Sequence, residues 1–205
     1  MKITKQSINE KIFLLGFETQ VELCSTFLRF QEYYESPEFK GKIFTLDEYK
    51  KWYSGIKGSF SYYTDWSGFN IPSEALIPFQ EGKFDPLSSE EHQLLDMVEN
   101  LQHPYYIIGV SGDLDSDQKR KLINHEIAHG LFNTNSGYKA DVLNVLAQYN
   151  LDEFKNCLRS MGGYHESVLD DEINAYTLFG SDKMAFEIPL KMRDDLQVIF
   201  NHYYG

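Results

Sequence analysis

The chain predicts an α+β fold with a small N-terminal sheet and a mainly helical C-terminal half. Three observations carry this expectation. Residues 11–80 are rich in Phe, Tyr, Thr and Ile and are broken by turn residues, a composition that favours strands and loops. After Pro86 the apolar residues recur at helical spacing. The 205 residues amount to about 1.4 typical domain lengths, so a single domain over 1–205 is expected. Within it, about 1–104 reads as a mixed, strand- and loop-rich part and about 105–205 as the part that carries chemistry.

The elements follow in order. KIFLLGF (11–17) and QVELCSTFLRF (20–30) read as strands or as a strand followed by a helix, which periodicity alone does not settle. LDEYKKWY (46–53) forms a short helix. GSFSYYTDWSGFNIP (58–72) alternates aromatic and small residues and ends at Gly68 and Pro72, as a hairpin or ordered loop does. Ser88 or Ser89 caps a helix whose apolar face is Leu94, Leu95, Val98 and Leu101, and His103-Pro104 stops it. YYIIGV (105–110) is a compact apolar strand. Helices are expected at about 117–133, 138–149, 151–160, 166–179 and 190–203.

Composition removes several functions. Nineteen basic residues against 31 acidic leave a net charge of −12, so a phosphate backbone is repelled and no nucleic-acid partner is expected. No segment reaches the ~18 apolar residues of a membrane span, so no membrane partner is expected either. The apolar run Ile12 to Phe17 is too short for a secretory leader, which predicts a cytoplasmic chain; export by a signal-independent route, as for a delivered effector, stays open. Cys24 and Cys157 lack CxxC spacing and a nearby His pattern, so they read as reduced thiols without a nucleophilic role.

The chemistry lies in DSDQKRKLINHEIAHGLFN (115–133). Asp115, Ser116 and Asp117 offer a cap and early acidic charge for a helix N-terminus. Leu122, Ile123, Ile127, Leu131 and Phe132 give that helix buried faces. Within it His125 and His129 stand four residues apart, so both imidazoles lie on one face and can bind a single Zn²⁺ at about 2.0–2.1 Å. Glu126, beside His125, is angled to reach a water on the metal rather than the metal itself, the placement of a general base. HExxH arises by chance roughly once in 70 chains of this composition, and its helical context makes chance rarer still.

A catalytic zinc needs a third protein ligand and one open position. A third His in the pattern HExxHxxGxxH is excluded, because those positions hold Phe132 and Asn135. The segment YHESVLDDEINAYTLFG (164–180) supplies a carboxylate instead. Glu172 is the preferred ligand and Glu166 its rival; the two are too far apart along one helix to serve one metal. A helix carrying Glu172, Ala175, Tyr176 and Phe179 presents them on one side, and Ala175 is small enough to let it approach the His-bearing helix.

His125, Glu126, His129 and a later Glu172 in an ExxA context resemble the gluzincin branch of the zincin metallopeptidases, over roughly residues 105–180. The resemblance implies a zincin-like domain and hydrolysis of a peptide or protein substrate by a zinc-activated water, with Glu126 as base and then proton donor. It also implies that the strand before the active-site helix, here 105–110, holds substrate backbone by edge pairing. The chain departs from the thermolysin-like ExxxD pattern, with Tyr176 where Asp would stand. Support for a His ligand then falls to Asp171, with Asp170 and Asn174 as further candidates.

Other residues take their places around this centre. His165, Tyr164 and Tyr176 are candidate donors to the oxygen that gains charge during hydrolysis. TDWSGFN (64–70) can line a cleft, and Gly130 can admit another element close to the helix. His92, His103 and His202 have no partner spacing and read as ordinary surface or capping residues. The alternative to an enzyme is a binding or regulatory module with a structural metal, which would need a fourth protein ligand such as His165 or Asp171.

Overall fold

The computed structural model describes residues 2–161, 164–180, 184 and 186–204. In chain order they form β1 (Thr4–Ser7), β2 (Ile12–Phe17), α1 (Gln20–Glu35), α2 (Leu46–Lys57), α3 (Tyr62–Asp65) and β3 (Gly68–Pro72). A 3₁₀ turn (Ser73–Leu76), α4 (Ile77–Gln80), α5 (Ser89–Val98), β4 (Tyr106–Ser111) and α6 (Ser116–Thr134) follow. The chain closes with α7 (Ser136–Leu146), α8 (Asp152–Met161), a 3₁₀ turn (Glu166–Val168), α9 (Leu169–Phe179) and α10 (Leu190–Tyr204). The class is α+β, built on a small mixed sheet of order β1-β2-β4-β3. No helix is long and apolar enough to cross a membrane among the described residues.

The sheet separates two cores because side chains alternate across it. Ile12, Tyr106, Ile108 and Val110 face one layer, which holds α6 to α10. Leu15, Phe17, Phe69, Ile71 and Ile107 face the other, which holds α1 to α5. The chain comes close at two glycines. A Cβ on Gly109 would lie 2.5 Å from the Phe27 ring, so α1 can lie against β4 only with glycine there. A Cβ on Gly130 would lie 2.8 Å from Ile12 Cδ1, which is how α6 sits down on β2.

Of the two alternatives at 11–30 the chain takes the strand followed by a helix: Thr19 and Glu22 form a capping box, and Leu23, Cys24, Phe27, Leu28 and Phe30 are buried at helical spacing. Other sequence expectations need correction. Residues 58–72 make no hairpin; they hold α3 and then β3, which pairs antiparallel with β4. In the first 104 residues α1 joins the helices expected at α2 and α5, each opened by a Thr or Ser capping box. The two parts of the chain share one sheet, in which β4 lies between β2 and β3. β1 was not expected, for its side chains are all exposed and it is recruited through the backbone ladder with β2.

The correction that matters most for function concerns β4. It pairs parallel with β2 on one side and antiparallel with β3 on the other. With both ladders filled it has no free edge, so 105–110 cannot add a substrate strand. The free edge on that side of the sheet belongs to β3.

Candidate metal centre

α6 begins where Asp115 accepts hydrogen bonds from the backbone N–H groups of Asp117 and Gln118, and it runs across the sheet face beside β3 and β4. Its 19 residues carry His125, Glu126 and His129 in successive turns. α9 packs against α6, with Ala175 fully buried, and brings Glu172 to the two imidazoles. One nitrogen from each ring and one Glu172 oxygen all lie within 4.8 Å of one another. His125 Nε2 and His129 Nε2 are 3.2 Å apart, and His129 Nε2 is 3.8 Å from Glu172 Oε2. Ligands at about 2.0–2.1 Å around a tetrahedral ion stand about 3.3 Å from each other. The two imidazole nitrogens match that spacing and the Glu172 oxygen stands somewhat wider, so the three groups could hold a metal ion.

The supports of this triad are specific. His129 Nδ1 lies 2.9 Å from Asp171 Oδ1, a charge-assisted contact that turns Nε2 towards the ligand position. Asn133 Nδ2 donates to Asp171 Oδ2 at 2.9 Å and to the His129 carbonyl at 2.9 Å, tying the carboxylate to its own helix turn. Glu126 is buried, and its Oε2 accepts from Asn70 Nδ2 at 2.6 Å. The Tyr106 hydroxyl donates in turn to Asn70 Oδ1. The Tyr176 ring stands edge-on to His125 at 5.0 Å, and the Tyr176 and Tyr164 hydroxyls are 2.7 Å apart.

The electrostatics follow from burial and crowding. Burial alone pushes the His129 imidazole towards neutrality, but the carboxylates of Asp171 and Glu172 outweigh it and hold its pKa well above the usual value. Glu172 is driven well above the ordinary carboxyl range, first by burial and then by Glu35 and Asp171, against the opposing pull of His129. A cation bound between them would take the place of those protons. Burial keeps the Tyr164 and Tyr176 phenols protonated; one proton joins the two oxygens, which leaves one to donate elsewhere.

The other sequence candidates are placed elsewhere. Glu166 is exposed and forms a bidentate pair with Arg159 at 2.6 and 2.9 Å. His165 caps the 3₁₀ turn that follows it, with Nδ1 accepting from Ser167 N–H, and its own N–H donates to the Glu35 carbonyl. Asp170 pairs with Lys155 and Asn174 with the Tyr138 hydroxyl, so neither supports a ligand. Cys24 is buried, and burial pushes its thiol up to about 12, far from a nucleophile.

The triad opens into a cleft of about 630 Å³, with Trp66, Gly68 and Asn70 on one wall and Tyr164 and Tyr176 on another. The stretch 64–70 thus contributes to the wall. Asn70, Tyr106, Asn133, Gln31 and Glu35 were not singled out from sequence. Only Asn70 carried a signal, as a polar residue at the core-facing phase of a short aromatic strand. Neither a family model, a curated protein nor a solved structure matches the chain.

Proposed function

We propose that this chain is a zinc-dependent peptide hydrolase with a zincin-like centre, in which His125, His129 and Glu172 hold the metal and Glu126 is the general base. The observation that carries this reading is the convergence of three ligand atoms within 4.8 Å at the base of an open cleft, beside a carboxylate that is held but is not among them. Bound there, Zn²⁺ would supply a Lewis acid that acidifies a water and polarises a carbonyl.

The protein's own residues do the rest. Glu126 takes the proton from the water as oxygen bonds to the peptide carbon, and returns it to the departing amine as the C–N bond breaks. Asn70, fixed by Tyr106, holds that carboxylate at one rotamer through both transfers. The Tyr164 and Tyr176 hydroxyls face the cleft beside His125, where a donor lowers the cost of charge on the carbonyl oxygen. An extended substrate meets the outer edge of β3. There the Asn70 backbone N–H already donates to Gln31 Oε1 at 3.2 Å, so pairing at that residue requires Gln31 to swing aside.

The module reading would need a fourth protein ligand. Among the described residues the ligand group has three members, Asp171 is engaged on the far nitrogen of His129, and His165 caps a turn. That arrangement favours an open coordination position. The deciding experiment compares wild type and Glu126→Gln after zinc loading. Equal zinc content, with peptide cleavage reduced at least ~100-fold in the variant, supports the mechanism. Full cleavage by the variant rejects it.

A further inference from the structure

Beside the metal cleft lies a second, smaller cavity of about 70 Å³ that the mechanism does not use. Glu35, Gln31, Trp66 and Gly68 line both, so the two adjoin. Its walls are the rings of Trp52, Tyr53, Trp66 and Phe69, and Glu32 and Glu35 stand among them. From these features we infer that the cavity is a specificity pocket for a lysine or arginine side chain of the substrate, next to the bond that is cut. This inference rests on the peptide-hydrolase reading and adds the substrate's chemistry to it.

Charge supports it first. Neither Glu32 nor Glu35 forms an ion pair with a lysine or arginine among the described residues. Glu32 takes hydrogen bonds from the Tyr62, Tyr49 and Ser36 hydroxyls, and burial still lifts its carboxyl to about 7. Glu35 stands in the same cavity and is hydrogen-bonded to the Gln31 side chain. Two carboxyls that share one aromatic-walled cavity suit an arriving cation. Lys57, which lines the cavity, is exposed and interacts with Asp65, and Lys40 donates to the Tyr34 carbonyl while feeling the charge of Glu35 without pairing with it.

Shape supports it next. At about 10–15 Å³ per water-sized group, the cavity admits about five such groups, the scale of a lysine side chain. Aromatic faces suit a long alkyl stem ending in a cation, and Trp is the best of them. The Trp66 indole N–H is buried without a hydrogen-bond partner, a donor left for a substrate carbonyl at the junction of the two cavities. The net charge of −12 also draws basic peptides to the surface.

The test exploits a coincidence of composition: both tryptophans of the chain, Trp52 and Trp66, line this cavity. The zinc-loaded Glu126→Gln protein is titrated with Ac-Ala-Ala-Lys-Ala-Ala-Ala-amide and with the same peptide carrying Nε-acetyl-lysine, and tryptophan fluorescence is followed. The lysine peptide should bind at least about tenfold more tightly, and Glu35→Gln should shrink that ratio to about twofold or less. Equal binding of the two peptides overturns the pocket, whether or not the variant folds. Binding that instead requires a free α-amine, measured with the unblocked peptide, also overturns it. Wild-type cleavage of peptides without preference for lysine over acetyl-lysine removes the pocket and leaves the hydrolase. Charge-selective binding without cleavage of any peptide does the reverse.

Discussion

Asn70 Nδ2 donates to Glu126 Oε2 across 2.6 Å, joining the edge strand of the sheet to the helix that carries both histidines. The amide has one orientation available. The Tyr106 phenol, kept protonated chiefly by burial, donates to Asn70 Oδ1, so the NH₂ group must face the carboxylate. Asn70 is a positioning residue: it fixes where the base stands without touching the ligand atoms.

Asn70→Ala therefore separates base positioning from metal binding. Turnover of a peptide substrate should fall about 10- to 100-fold while zinc content stays at the wild-type level, because the three ligands are untouched. Steady-state kinetics and metal analysis on the same preparation check this. Loss of zinc together with activity would mean that Asn70 holds α6 in place rather than the carboxylate.

The choice between the two acidic candidates is tested by Glu172→Ala and Glu166→Ala. Glu172 is buried 3.8 Å from His129 Nε2, whereas Glu166 is exposed and paired with Arg159. Metal analysis after dialysis should find zinc lost from the Glu172 variant and retained by the Glu166 variant. Its exposed ion pair contributes little to stability, so the Glu166 variant should also unfold at close to the wild-type denaturant midpoint. Retention of zinc by Glu172→Ala would remove the carboxylate from the ligand set.

Local rules wrote part of this in the sequence. His125, Glu126 and His129 were legible because four-residue spacing on a helix fixes a shared face whatever surrounds it. Glu172 was legible as one of two carboxylates on a segment of helical period. What sequence did not disclose was non-local. Gly109 lets α1 lie close against β4, and β4 is enclosed by ladders with β2 and β3, both distant from it in sequence. The Asn70 contact needs β3 to lie beside α6 with its polar residue on the α6 face, a register set by pairing Asn70 with Ile108 of β4. Glu32 and Glu35 carried no signal in the sequence, since their burial depends on elements distant in the chain packing against α1.

In the proposed centre Asp171 would act on a metal through its contact with His129. Replacing it with Asn keeps size and hydrogen bonding but removes the charge 2.9 Å from Nδ1. Outer groups of this kind are worth 10- to 100-fold in metal affinity. Asp171→Asn should accordingly bind zinc about 10- to 100-fold more weakly in a competition with a chelating dye, with the helix content unchanged by circular dichroism. An unchanged affinity would show that the contact serves packing alone.

Glu32 makes stability depend on pH in a definite direction. Burial raises its carboxyl from the ordinary 4.5 to about 7 in the folded chain. Between those values the native protein keeps a proton that the unfolded chain has released, so the unfolding free energy falls as pH rises. The whole contribution is present below about pH 4.5 and is gone above about pH 7, a loss of about 3 kcal/mol from this one group. Glu32→Gln, which cannot ionise, should lack that slope. Denaturant unfolding of both proteins at pH 5, 6, 7 and 8 measures it, and the gap between them should move in favour of the variant as pH rises. Parallel curves would mean that Glu32 is solvated enough to ionise in place, and a lysine side chain would then gain little by reaching it.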